Sequence, residues 1–310
     1  MRPFVIGIDI GGTNTKLGLI NSGGKVLLRT TLPTRSFIRN KTELINAIAA
    51  AVQAILKKKK LARKEIAGIG IGLPGLINMK KGTVNFLVNI PRWENVPLKR
   101  IMEQKLRLPV FIDNDVNVMT LGEWKFGAGR GIRNLICITL GTGVGGGLVF
   151  NNEIYRGGAF TAGEIGHIPL NEQGFRCNCG GYGCLERSVG SAHLLRKAKS
   201  VFKNREISLE KITEKARQGD KKAIEFWKEA GRHLGNGLAG VVNLLNPDGL
   251  VIGGGIAGAH QVLFKAIEET IRKRAMKIPA SMVKIKKAEL GQDAGIIGAY
   301  VLVQHALSSK

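Results

Sequence analysis

The chain opens on an unbroken apolar run, FVIGIDI, which stops at the glycine-rich stretch GGTNT. A short apolar run bounded by turn residues predicts a strand buried on both faces. KLGLI, the turn NSGG and KVLLRTT follow and predict a second and a third strand joined by a hairpin. The period then changes. From about Thr42 to Lys57, Leu44, Ile48, Val52 and Ile55 recur on one face of a helix, and Asn40 with Glu43 has the spacing of a capping box. IAGIGIGLPG is another buried strand, ending in a Gly-Pro-Gly corner. VFIDND, Val110 to Asp115, is a short strand that ends in carboxylates.

The second half repeats this plan. NLICITL is an apolar strand, GTGVG a tight turn, GGLVF a strand, NN a hairpin turn and EIY a short third strand. A helix from about Lys221 to Leu245 leads to GLVIGGG, a buried strand ending in glycines. Self-similarity on this scale predicts two like α/β lobes, each built on a copy of the same sheet, with a cleft between them. The expected division is 1–115 and 116–293. A last helix, about Ala294 to Leu307 within 294–310, is expected to cross back and pack on the first lobe.

Composition changes this picture little. A chain of 310 residues suits two lobes, and 44% apolar with 23% charged residues is ordinary for a globular protein. No apolar run reaches the roughly 20 residues of a membrane helix, and the N-terminus reads as a first strand rather than a signal peptide. Four cysteines, three of them clustered, suit a reducing cytoplasm and not a disulfide framework. The net charge of +24 is the unusual feature, concentrated in part in KKKK at 57–60 and KIKK at 284–287. Such a field attracts polyanions. No aromatic-studded basic motif, zinc-finger spacing or recognition-helix pattern accompanies it, so a solvated basic surface is expected and a nucleic-acid partner is not.

Chemistry is concentrated at the strand ends. Each half begins with a strand and a glycine turn, DIGGTNTK and LGTGVGGG. Glycines let backbone N–H groups converge on a phosphate, and Thr13 and Thr142 add hydroxyl donors. Neither turn is a P-loop, and a single glycine turn is weak evidence, but two in matching positions of a repeat are stronger. Asp9 ends its strand where a carboxylate can hold Mg²⁺ through water. Lys16 either neutralises phosphate charge or faces solvent from the second strand. The run Gly253 to Gly255 leaves flat backbone for a base or ribose. At DND, Asp115 is the candidate general base for a hydroxyl attacking phosphorus, Asn114 is placed to bind another hydroxyl, and Asp113 is expected to cap the next turn or helix.

Cys177, Cys179 and Cys184 follow C-x-C-x₄-C in a glycine-rich loop, ten residues after His167. Three thiolates and an imidazole make a closed tetrahedral Zn²⁺ site, structural rather than catalytic. A redox pair is the alternative, although the motif is not C-x-x-C. A metal-fixed His167 offers its other ring nitrogen to a ligand. Glu164 and Glu186 flank the cluster and either accept from the hydroxyls of a polyol or remain surface glutamates.

IDIGGTNTK, GLPG, DNDVN, LGTGVGGG, AGEIGH, CNCGGYGCLE and VIGGG occur here in that order, and together they resemble the ROK family of sugar kinases and repressors over nearly the whole chain. The resemblance implies an α/β, two-lobed actin/hexokinase-like ATPase fold with a duplicated β-sheet core and an interlobe cleft. It implies an ATP-dependent hexose kinase with Asp115 as general base. Asn89, Asn114, Gly158, Glu164, His167 and Glu186 would bind the sugar. His167, Cys177, Cys179 and Cys184 would hold Zn²⁺. Asp9, Gly11, Gly12, Thr13 and Lys16, with Gly141, Thr142, Gly143, Gly254 and Gly255, would surround ATP and Mg²⁺. Glucose is the first expected substrate. N-acetylglucosamine, N-acetylmannosamine, mannose and fructose are the alternatives, and a homodimer or homotetramer is expected. A sugar-responsive repressor is the competing class. It is disfavoured because the first strand starts by Pro3 and because Asp115 is retained.

Overall fold

The computed structural model describes residues 3–37, 40–87 and 93–308. Strands β1 (Phe4–Ile10), β2 (Asn14–Asn21) and β3 (Val26–Pro33) form an antiparallel meander, followed by α1 (Lys41–Lys58) and β4 (Ile66–Leu73). Asn40 caps α1 by accepting from the backbone N–H groups of Thr42 and Glu43. Its own amide donates to Glu43 Oε1 at 2.8 Å, so the expected box closes side chain to side chain. The predicted apolar face of α1 is buried. Three short strands, β5 (Leu76–Asn78), β6 (Thr83–Phe86) and β7 (Glu94–Val96), make a separate antiparallel sheet. They are too short to carry a sequence signature. Then come α2 (Leu98–Leu106), β8 (Val110–Asn114) and α3 (Asp115–Phe126).

The second half repeats the order. β9 (Leu135–Leu140), β10 (Val144–Phe150) and β11 (Glu153–Tyr155) form the meander. The helices α4 (Glu186–Val189), α5 (Ser191–Phe202), α6 (Leu209–Arg217) and α7 (Lys221–Leu245) precede β12 (Gly249–Gly253). After it come α8 (His260–Arg274), α9 (Lys277–Met282), β13 (Lys284–Lys287) and α10 (Ala294–Ser308). The two main sheets have the orders β3-β2-β1-β4-β8 and β11-β10-β9-β12-β13, which are the same plan twice. In the first, two antiparallel pairings lead into two parallel ones, and in the second the antiparallel β10–β9 pairing leads into two parallel ones.

One compact unit comprises 1–131, 154–162 and 290–310, and the other comprises 132–153 and 163–289. The first unit therefore runs past Asp115. Helix α3 belongs to it because α3 packs on β4 and α10. The final helix lies on β1 and β4 and against α3. Glycines allow the approach. A Cβ on Gly298 would lie 1.7 Å from the Val118 carbonyl oxygen, and one on Gly70 2.1 Å from that of Ala299.

The basic runs have local explanations. Lys57 and Lys58 close the last turn of α1, where cations meet the negative end of the helix dipole. KIKK is β13, an edge strand whose lysines discourage pairing with another chain.

Candidate active site and metal centre

In the first unit, strand register sets the chemistry. Asp9 pairs across the sheet with Gly72, and Gly72 pairs with Asp113. The parallel strands β1 and β8, on either side of β4, thus carry Asp9 and Asp113 to one carboxyl edge, where α/β sheets bind ligands. Asp9 lies against the start of α10, and a Cβ on Gly295 would meet its carboxyl carbon at 2.6 Å. Burial raises the Asp9 pKa above the usual carboxylate value, and the Lys16 charge opposes this only in part. Lys16 is the cross-strand partner of Asp9 and reaches towards the Gln292 carbonyl oxygen. The turn itself closes through Gly11 N–H donating to Asn14 O at 3.0 Å, with Thr13 exposed.

The DND segment is more ordered than its sequence implies. Asn114, not Asp113, caps α3. Its Oδ1 accepts from the N–H groups of Val116 at 2.9 Å and Asn117 at 3.3 Å. Its amide also donates to the Gly75 carbonyl at 3.2 Å, which leaves one amide N–H for a ligand. Asp115 is the first residue of α3, and its Oδ1 accepts from Val116 N–H at 3.0 Å. Asp113 is instead a buried structural anion. It accepts from Arg156 Nε at 2.8 Å and pairs with Arg156 Nη2 at 2.7 Å. It also accepts from Asn117 Nδ2 at 3.2 Å and Asn114 N–H at 2.8 Å. Arg156 had no sequence signal: it is a lone arginine after a three-residue strand. Its segment, 154–162, also holds Gly158, where added side-chain volume would meet nothing within 4 Å. Asn89 lies outside the described residues.

In the second unit, the glycine turn 141–143 follows β9, and Gly254–Gly255 follows β12 at the same sheet edge. Gly254 has φ +88° and sits against the Leu140 carbonyl oxygen, so only glycine suits the position. Gly141 N–H donates to Gly143 O at 2.9 Å, and Thr142 is exposed. Glu186 Oε2 accepts from Val144 N–H at 3.0 Å, and this packing leaves no room for a Cβ on Gly143. The glutamate after the cysteine motif is thereby tied to the second glycine turn.

The four candidate metal ligands converge. One ligand atom each from His167, Cys177, Cys179 and Cys184 all lie within 4.8 Å of one another. His167 Nδ1 lies 3.6 Å from Cys177 Sγ, and the Sγ atoms of Cys179 and Cys184 are 3.6 Å apart. The other imidazole nitrogen, Nε2, is 3.8 Å from Glu164 Oε2. The loop folds back on itself through bridges Pro169–Cys184 and Arg176–Tyr182, and it buries Cys177 and Cys184 while Cys179 stays exposed. Burial and the neighbouring thiols push Cys184 up to about 12. Three thiols and an imidazole at this spacing fit Zn²⁺.

A duplicated sheet with glycine turns and acidic residues at its strand ends defines an actin/hexokinase-type α/β protein. The ROK family model matches residues 5–306, and the chain belongs to the ROK family. It is 36% identical to a glucokinase of Halalkalibacterium halodurans, over 99% of this chain and 96% of that one. It is 32% identical to a xylose repressor of Caldicellulosiruptor bescii, over 96% of this chain and 77% of the repressor. Among solved structures, a ROK family glucokinase from Streptomyces griseus in complex with glucose and AMPPNP matches with a TM-score of 0.82. The two are 33% identical, over 97% of this chain and 99% of that one.

Proposed function

We propose that the chain is an ATP-dependent hexose kinase acting on the 6-hydroxyl of glucose. The observation that carries this reading is the acidic strand-end row, with Asp115 at the head of α3 and Asp9 at the end of β1. Full-length similarity to proteins named glucokinase supports it. In this reading Asp115 takes the hydroxyl proton as the sugar oxygen bonds to the terminal phosphorus and the bond to the departing ADP oxygen breaks. Asn114, Glu164, His167 and Glu186 orient the other hydroxyls. The glycine turns and Thr13 and Thr142 donate to phosphate oxygens. Asp9 would hold Mg²⁺, which neutralises phosphate charge. Zn²⁺ on His167 and the three cysteines would fix the imidazole and take no part in the transfer.

The test is a panel of hexoses with ATP and polyphosphate in a coupled assay on wild type and Asp115→Ala. Glucose with ATP is expected to give the highest kcat/KM, and the variant to lose at least about a hundredfold in turnover while glucose still binds. Near-normal turnover in the variant removes Asp115 from the mechanism, and a preference for another hexose corrects the substrate. The chain's setting is proposed to be the cytoplasm. We also propose a homodimer or homotetramer. Exposed Leu244, Met276, Ile278 and Met282 at the end of α7 and around α9 supply apolar surface for it. Light scattering after size exclusion checks it, and a monomer at micromolar concentration would refute it.

A further inference from the structure

Within the second unit, behind the metal loop, lies a cavity of about 920 Å³ bounded by that loop, α4, α5, α7 and the end of α8. None of the residues assigned to the sugar, the nucleotide or the metal lines it. Five of its walls are basic: Arg187, His193, Lys197, His233 and Arg274. Among the described residues no Asp or Glu lines it. Lys197 and His233 share Glu229, and no acidic partner is found for Arg187 or Arg274 among the described residues. Two nitrogens on the wall, Arg187 Nε and His193 Nδ1, are shut off from water without a hydrogen-bond partner. The Arg187 N–H left unpaired there is unfavourable. The lining also carries four primary amides, on Asn171, Gln173, Asn236 and Asn243, and the hydroxyl of Ser188.

We infer that this cavity is a second ligand site, for a phosphate monoester that also carries hydroxyl groups. The side chains of Arg187, Lys197 and Arg274 suit a phosphate dianion. Primary amides suit hydroxyls because they both donate and accept. The volume falls in the range of small-molecule sites. The positive surroundings are visible in His193 itself, whose pKa is lowered by burial and then by Arg196, Arg187, Lys197 and His233. The site also adjoins the proposed active centre through the chain. Arg187 follows Glu186 in α4, and Gly174 and Gly183 of the metal loop form part of the wall. An occupant here would therefore touch the loop and the helix that carries Glu186. The site needs no kinase activity. Naming a hexose phosphate as its natural occupant rests on the proposed reaction, which makes one.

The experiment is calorimetric titration of the zinc-loaded full chain with glucose 6-phosphate and, separately, with inorganic phosphate. Each titration is run with saturating glucose and AMPPNP already present to block the proposed active centre. Saturable binding of glucose 6-phosphate is expected, weakened about tenfold or more in Arg274→Gln. That variant, remote from the proposed machinery, should keep the basal turnover of the wild type. Absence of saturable binding, or equal binding in the variant, overturns the site. Inorganic phosphate binding as tightly as the ester overturns the assignment of a hydroxyl-bearing ligand. Size exclusion alongside reads occlusion by a second copy: a dimer that excludes the ester overturns the proposal too. Binding is measured without turnover, so a chain that phosphorylates no sugar leaves this test intact.

Discussion

Asp9 shows how a single side chain trades stability for chemistry. Burial raises its pKa, so the native chain holds this proton more tightly than the unfolded chain does. Its contribution to stability is fully present below the ordinary carboxylate pKa and is lost as pH rises through the raised one. Asp9→Asn is therefore expected to melt higher than wild type at pH 7, with the difference shrinking towards pH ~4, and to lose turnover. Melting curves across pH check the first part and the coupled assay the second. Arg156 shows the opposite sign. Asp113 keeps only 3% of its side chain exposed, and Arg156→Ala would strand its charge. A loss of about 3–5 kcal/mol is expected by denaturant titration. The sequence displayed the carboxylates of DND but not their division of labour. Which Asx residue caps α3 depends on an arginine some forty positions away, and no local pattern encodes that pairing.

At the scale of elements, α10 and α3 meet through glycine. Gly122 on α3 faces the Ala294 carbonyl, and Gly298 on α10 faces that of Val118. Gly298→Ala would push the helices apart, and a destabilisation of about 1–3 kcal/mol or more is expected in the same titration. Turnover should fall with it, since α3 carries Asp115 at its head and α10 begins against Asp9. The metal loop is short and held by backbone hydrogen bonds, by the close approach of Gly183 to the Asn171 carbonyl and by its candidate ligands. About one zinc per chain is expected by elemental analysis. Chelation should lower the melting temperature and open the loop to protease, with Cys179→Ser doing the same without chelator. Long apolar strands, α1 and α7 could be read from periodicity because they are long and one- or two-faced. β5 to β7, three or four residues each, could not.

Across the whole molecule, the repeat was the most legible feature, because each copy carries the same order of apolar runs and glycine turns. The basic surplus was visible as a total but not as an arrangement. Part of it ends helices, part of it guards a sheet edge, and part of it lines the cavity behind the metal loop. Connectivity adds one consequence of its own. Helix α10 is synthesised nearly 300 residues after β1, yet it covers that strand. Residues 132–153 with 163–289 can close their own core before α10 is made. β1 and β4 cannot, and the face they turn to α10 stays uncovered until that helix has been made.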